Sequence, residues 1–337
     1  MTTMPTMPMT CPCAPPARQR GAALLTAMII VTVVATLASG MVWQQWRALQ
    51  VEAAERAQTQ SEWVLQGALD WTRMILREDA REGGSDHLGE PWAAPLAEAR
   101  LSTFLAADRS MAEDAPDAFL SGRIVDAQSR YNLRNLVQQG KVSRSELQTL
   151  VRLCGFLGLN GDVAPRLAEA LRRATPGSTT EAPSDASTTT TTLPLMPTSV
   201  EELGWLGLDA ATVRRLKPYV VLLPRETPVN LNTAPKEVIA AVLPGIDLAT
   251  AERLVQSRLR DPLKTPADAK TVLGEQALTD ARRVSVNSNY FIVYGALRLD
   301  QVTVAQRSLL ERNGRDVRTL STQRLRDPAE LESSLQP

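Results

Sequence analysis

RQRGAALLTAMIIVTVVATLASGMVW, residues 18–43, decides what this chain can become. The basic residues Arg18 and Arg20 stop at Gly21, and an uncharged apolar run from Ala22 to Val42 follows at once. The run matches the ~20 apolar residues that a membrane-crossing helix requires. Trp43, Trp46 and Arg47 close it with an aromatic and basic belt of the kind found at a membrane–water interface. With the arginines in front of the span, the positive-inside bias keeps the N-terminus cytoplasmic and sends the rest of the chain across.

Three readings of the junction compete. A secretory signal peptide has an apolar core of only ~7–15 residues and a small-residue cleavage site, which Thr36 and Ala38 could supply. A plain signal anchor accounts for the span but not for a glycine set between the charges and the apolar run. A leader of the type IV pilin kind accounts for both, because its peptidase cuts after glycine at the cytoplasmic face, here between Gly21 and Ala22. The residues beyond the span favour the third reading. No proline occurs from Gln44 to Arg81, and Trp63, Ala68, Trp71 and Ile75 recur at helical steps. One helix from Ala22 to the Gly83-Gly84 terminator is therefore expected, roughly 90 Å long at 1.5 Å per residue.

Composition narrows the function classes. Thirty-seven basic and thirty-seven acidic residues cancel, so no global field favours nucleic acid or anionic lipid. Three cysteines, two of them Cys11 and Cys13 in the leader, make no disulfide framework. Cys154 keeps step with Leu147, Leu150 and Val151 on a helical face and reads as core. The single histidine, His87, has no cysteine or histidine partner at metal-ligand spacing and reads as a solvated loop residue. No nucleophile with an adjacent base, phosphate loop or metal cluster points to catalysis.

Beyond the helix, SGRIVDAQSRYNLRNL (121–136) reads as two extended segments around an Ala127-Gln128-Ser129 turn. Ser143 and Glu146 form a capping box for a helix reaching Leu159, and a second helix spans Ala164 to Arg173. Thr175 to Pro197 is a Thr/Ser/Pro tract too polar to order itself. Between Pro228 and Leu273, Asn232 or Thr233 caps a helix with Pro235 and Glu237 in its first turn, Leu243-Pro244-Gly245 ends it, Asp247 caps the next, and a third starts after Pro266. This is a helix-hairpin-helix pattern. Its DNA-binding form needs Gly-apolar-Gly so that bare N–H groups reach a phosphate, whereas this chain has Gly245-Ile246-Asp247, with Asp261 and Asp268 nearby. A packing or protein-contact module fits better than a nucleic-acid site.

Strands return at Val284-Ser285-Val286, Tyr290 to Leu299 and Gln301 to Leu310, and Asn313-Gly314 turns a hairpin into Asp316 to Ser321. Strand segments thus bracket the helices. The expected fold is α+β, a long N-terminal helix packed on an antiparallel sheet that carries a large helical insertion.

The leader junction, HLGEPWA (87–93), GRIVDAQSRYNLRNL (122–136), VNLNTAP (229–235) followed by LPGID (243–247), and NSNYFIVYGALRL (287–299) together resemble, in this order, the minor pseudopilin K family of the type II (general) secretion pathway. Thr26 supports the likeness. It stands at mature position five, where other pilin-like subunits carry a glutamate that neutralises a neighbour's terminal amine, and the K subunit lacks it. The leader is long, and Ala22 replaces the usual bulky first mature residue.

The resemblance implies a pilin-like fold with a SAM-like helical insertion and a division into leader (1–21), membrane helix (22–43), its periplasmic continuation (44–83), first strands (84–136), helical domain (137–283), last strands (284–323) and tail (324–337). It also implies processing by prepilin peptidase, an inner-membrane anchor with a periplasmic C-terminal domain, and partnership with minor pseudopilins I and J in a tip complex that primes the pseudopilus for export of folded proteins. Family members can bind calcium through clustered loop oxygens, and Glu113, Asp114 and Asp117 are the candidates here. A rival of another class is the competence-type DNA receptor, which also joins one span to a helix-hairpin-helix module but has no place for the strands at Tyr290 to Ser321.

Overall fold

The computed structural model of the chain describes residues 20–101, 118–175, 195–274, 281–299 and 302–325. The first helix, α1, runs from Arg20 to Glu82. It stops where Gly83 and Gly84 take φ values of +71° and +121°, conformations that side-chain-bearing residues rarely adopt. The chain divides into two compact units, residues 1–59 and 60–337. In the first, the apolar side chains from Leu24 to Val42 are exposed along the helix, which is the one helix among the described residues long and apolar enough to cross a membrane.

In the second unit the remaining turns of α1 lie on a sheet. Five strands pair in the order β1-β2-β9-β10-β11: β1 Leu96–Arg100, β2 Ala118–Asp126, β9 Tyr290–Leu299, β10 Val302–Asn313 and β11 Asp316–Leu325. Every neighbouring pair is antiparallel. Asn313 pairs with Asp316 across the last turn, so the two-residue loop is Gly314-Arg315, with Gly314 at φ +57°. The hairpin runs further than its sequence suggested, as far as Leu325, because each strand supplies the other's backbone partners.

The face of α1 that packs on the sheet is not the one that carries Trp63 and Trp71. Trp63 is 75% exposed and Trp71 44%, whereas Leu65, Leu69, Thr72 and Leu76 are buried. The cause lies in the sheet. Gly122 and Gly295 face each other across β2 and β9, and a Cβ on Gly295 would stand 3.4 Å from the Leu65 side chain. The helix comes down onto bare backbone, where a slender aliphatic side chain fits and an indole does not.

Strand β9 is buried on both faces. Tyr290, Ile292 and Tyr294 pack with Val221 and Leu223, while Phe291 and Val293 pack with Leu69, Leu76 and Trp92. Its unbroken apolar run is the mark of a strand covered twice.

Between β2 and β9 the chain is mainly helical. A 3-10 turn at Ala127–Ser129 leads to β3 (Tyr131–Asn132), which pairs in parallel with β6 (Val220–Val221). Between them, β4 (Val137–Gln138) and β5 (Lys141–Val142) form a small hairpin. Among the described residues the helices here are α2 Arg144–Phe156, α3 Val163–Ala174, α4 Ala210–Leu216, α5 Lys236–Val242, α6 Leu248–Arg258 and the short α7 Lys270–Leu273. Leu150, Leu153, Cys154, Leu167, Ile239 and Leu254 share one core. Cys154 is a packing residue as its spacing indicated, and burial pushes its thiol up to about 11. β8 (Val284–Ser285) pairs in parallel with β7 (Val229–Asn230) and not with the main sheet.

Two caps differ from expectation. Ser143 precedes α2 but makes no side-chain cap bond. Glu146 turns inward to Arg283 at 2.9 Å, because a largely desolvated guanidinium needs a counter-charge more than a solvated helix end needs a cap. Neither Asn232 nor Thr233 caps α5, whose N-cap is Pro235. Asn232 instead grips the backbone N–H and C=O of Leu263, both at 2.9 Å. Asp247 does cap α6, accepting from the Thr250 N–H at 2.8 Å.

The glycine pair can be tested against a neutral position. A Cβ at Gly122 would lie 2.9 Å from the Tyr294 carbonyl oxygen, and that backbone cannot move aside cheaply. Gly122→Ala is expected to lower stability by about 1–3 kcal/mol. Gly67→Ala, on an open helical face with nothing within 4 Å, is expected to raise it by about 0.5–1 kcal/mol. Denaturant melts of the two variants read both signs.

Candidate functional site

Three of the segments that carry the family resemblance, GRIVDAQSR, VNLNTAP and NSNY, are far apart in sequence and meet in one buried polar joint. Asp126 ends β2 at 1% exposure and receives four hydrogen bonds. Its Oδ1 accepts from the Gln128 N–H at 2.7 Å. Its Oδ2 accepts from Ser288 Oγ at 2.6 Å, Thr233 Oγ1 at 2.5 Å and Asn230 Nδ2 at 2.9 Å. One carboxylate thus ties GRIVDAQSR to VNLNTAP and NSNY. Burial pushes its pKa up to about 6, against the pull of these donors.

Ser288 passes the connection on, since its N–H donates to Asp86 Oδ2 at 2.6 Å. Arg312 on β10, a buried side chain, closes the other side. Its NH2 group donates to Asp86 Oδ1 and Oδ2 at 2.5 and 2.6 Å and to the Ser288 carbonyl at 2.8 Å, and its NH1 group donates to Asp79 Oδ2 on α1 at 2.5 Å. The guanidinium also stands 4.7 Å over the Phe291 ring. Glu90 accepts from the Trp92 indole at 2.7 Å and from the His87 N–H at 2.9 Å. HLGEPWA therefore serves to dock Trp92 edge-on against Phe291, 5.3 Å between centroids. Burial raises Asp79, with Glu90 adding to the rise, and burial raises Asp86 while Arg312 draws it back.

Carboxylate oxygens of Asp79, Asp86 and Glu90 lie within 4.8 Å of one another, a spacing suited to a cation. The Arg312 guanidinium already provides that charge, so the arrangement is an ion network and its chemistry is structural. Of these residues the sequence singled out Thr233, as a helix cap, and Gln128, in a turn; Glu90, Asp126, Asn230 and Ser288 stood only inside quoted stretches. The available signal was the presence of Asp, Asn and Ser inside otherwise apolar strand ends, which a fold tolerates only where they satisfy one another. Arg283 forms a second tie, bonding Glu146, the Val242 carbonyl at 3.1 Å and Thr149, while the Tyr131 hydroxyl donates to Glu146 at 2.9 Å.

The predicted site residues fall elsewhere. Gly21, Ala22 and Thr26 lie in the first turns of α1. Thr26 Oγ1 donates back to the carbonyls of Ala22 at 2.8 Å and Ala23 at 3.0 Å, so its polar atom is satisfied within its own helix. Glu113, Asp114 and Asp117 lie outside the described residues, as do Cys11, Cys13 and most of the Thr/Ser/Pro tract. His87 is half-buried and its Nδ1 accepts from the Gly89 N–H at 3.1 Å. At the helical hairpin, Gly245 takes φ +81°, but the Asp247 carboxylate occupies the N-terminus of α6, held below its usual range by its bonds to Thr250. That end of the hairpin presents an anion where DNA binding would require the backbone to receive one.

Removing the joint's cation gives a direct measure of its worth. Arg312→Met leaves Asp79 and Asp86 without their counter-charge and is expected to cost about 3–5 kcal/mol. An equilibrium denaturation curve against wild type checks it, and a loss below about 1 kcal/mol would show a network no stronger than a surface pair.

Two family models described as type II secretion system (T2SS), protein K, match residues 129–225 and 229–287. The type II secretion system protein K of Klebsiella pneumoniae is 30% identical over 325 residues, covering 88% of this chain and 94% of that protein. Its counterpart in Pseudomonas aeruginosa is 29% identical over 316 residues, covering 88% of this chain and 90% of that one. Among solved structures, a chain in the crystal structure of the GspK-GspI-GspJ complex from the enterotoxigenic Escherichia coli type 2 secretion system superposes with a TM-score of 0.59, over 81% of this chain and 99% of that chain at 21% identity, a likeness of fold. The matched segments take in Asn230 and Thr233 of the polar joint, and the relatives are covered nearly end to end: the chain belongs to the type II secretion system protein K family.

Proposed function

We propose that this chain is a minor pseudopilin that sits at the tip of the secretion pseudopilus, assembles there with pseudopilins I and J, and primes the filament that aids export of folded proteins across the outer membrane. The observation that carries the reading is α1 itself. One helix begins with exposed apolar turns fit for a membrane and ends with turns built into the core of a folded unit. Such an element holds a subunit in the inner membrane, N-terminus cytoplasmic, until it is drawn into a filament. Thr26 offers a neutral hydroxyl already bonded to its own helix, so it supplies no charge for the amine of a subunit stacked above. A subunit without that acceptor suits a terminal position. The role is structural, and the polar joint keeps the helical region fixed to the sheet that α1 carries.

Processing provides the first test. Mass spectrometry of the membrane-extracted protein is expected to find Ala22 as the mature N-terminus, and Gly21→Asp is expected to abolish the cut. Cleavage after Ala38 instead would identify a signal peptide and remove the membrane half of α1.

Assembly provides the second. The chain is expected to form a one-to-one-to-one complex with pseudopilins I and J and no homopolymer, as read by light scattering. Trp63, 75% exposed on the outward face of α1, belongs to the class of residue that anchors interfaces. Trp63→Glu is expected to weaken the complex by about tenfold or more, near 1.4 kcal/mol, with the unfolding transition unchanged. A stable homopolymer, or no association at micromolar concentration, would sink the tip assignment.

A further inference from the structure

Four carboxyl groups enter the polar joint: Asp79 from α1, Asp86 and Glu90 from the loop that follows it, and Asp126 from the end of β2. The cation bonded into it is Arg312 of β10. The other groups facing Asp126 are uncharged: Asn230 and Thr233 from the VNLNT turn, Ser288 from the segment before β9, and Gln128 from the turn after β2. His87 lies in the same loop as Asp86 but turns its Nδ1 to the Gly89 N–H, and the Glu78–Arg81 pair of α1 is exposed, at 59% and 65% of its side chains. Asp86 and Asp126 are buried and Asp79 and Glu90 partly so; ionising Asp126 beside the buried Asp86, with Arg312 the cation bonded among them, sets two negative charges in a low-dielectric interior, which resists that by keeping a proton.

The geometry shows where a proton can be kept. Asp86 is met by donors that cannot reverse, the Arg312 guanidinium and the Ser288 N–H. Asp126 Oδ2 is met by two hydroxyls, Ser288 Oγ and Thr233 Oγ1. A hydroxyl can donate to a carboxylate or accept from a carboxylic acid, and Thr233 Oγ1 also has the Asn230 carbonyl at 3.5 Å to turn to. Asn230 Nδ2, the remaining donor, has alternative acceptors in the Asp86 carbonyl at 3.1 Å and Ser288 Oγ at 3.0 Å. Protonating Asp126 therefore leaves no donor stranded.

We propose that Asp126 is a proton-binding site and that the joint holding the helical region to the sheet tightens between neutral and mildly acidic pH. The sign follows from burial. Its pKa in the fold, about 6, lies above the ~3.9 of a free aspartate, so the folded chain binds more protons than the unfolded one between these limits. Stability rises as pH falls through this window and levels off below the unfolded value. Asp79 and Asp86, raised by burial against the pull of Arg312, act in the same direction.

The test uses the full chain in detergent. Thermal unfolding is followed at pH 7.5 and 5.5, and hydrogen exchange at the Gln128 and Ser288 amides is followed after correction for the intrinsic rate. Wild type is expected to melt several degrees higher at pH 5.5, with both amides better protected. Asp126→Asn copies the neutral carboxyl and is expected to lose at least half of that pH response while matching or exceeding wild type at pH 7.5. Thr233→Val removes one hydroxyl that favours the ionised form and is expected to move the midpoint of the pH response upward by about half a unit. The inference is overturned by a wild type that loses stability on acidification, by an Asp126→Asn chain that keeps the full response or fails to fold, or by an unmoved midpoint in Thr233→Val.

Discussion

A guanidinium removed from water must keep its counter-charges in place, and Arg312 keeps α1, the loop behind it and β10 in place by that need. It bonds Asp79, Asp86 and the Ser288 carbonyl at once, and Ser288 hands the connection to Asp126. Buried polar groups of this kind add little net stability compared with apolar packing, but they penalise any arrangement in which one of them is left alone. The joint therefore works as a device of specificity. Apolar surfaces could slide over one another, whereas this set of donors and acceptors matches in one register.

The apolar packing is arranged around the same strand. β9 places Phe291 and Val293 against α1 and Trp92, and Tyr290, Ile292 and Tyr294 against the helical side. A strand covered on both faces transmits position from one layer to the other, because neither layer can shift without opening a cavity. The Tyr290 hydroxyl, bonded to Glu311 at 2.8 Å and receiving Arg225 Nε at 3.1 Å, pins the edge of that contact. Helix α1 is thus fixed to the sheet, and the helical region is fixed through the sheet and the joint together.

For a protein whose proposed place is the end of a filament, such fixing is the relevant property. The outward face of α1 stays open, with Trp63 and Met74 well exposed. The hairpin between α5 and α6 is self-contained, its helix N-terminus already capped by Asp247. Neither feature draws on the joint, so the surface can change while the frame is kept.

The sequence by itself determined the elements whose signals are local. The charge-to-apolar junction at Gly21 and the Gly83-Gly84 stop mark a helix without reference to anything else, and the observed Arg20–Glu82 agrees. The apolar run of β9, the Gly314 turn and the Asp247 cap were equally legible, since period, handed backbone and capping depend on near neighbours. Tertiary structure decided whatever depended on a distant partner. The burying face of α1 is set by Gly295, more than two hundred positions later in β9, and by Gly122 in β2. Glu146 abandoned its cap for Arg283, and Thr233 its cap for Asp126. The quoted stretches carried polar residues among apolar ones, but nothing in them showed that they meet. A polar side chain's role is fixed by which buried charge it must satisfy, and only the folded chain brings that charge within reach.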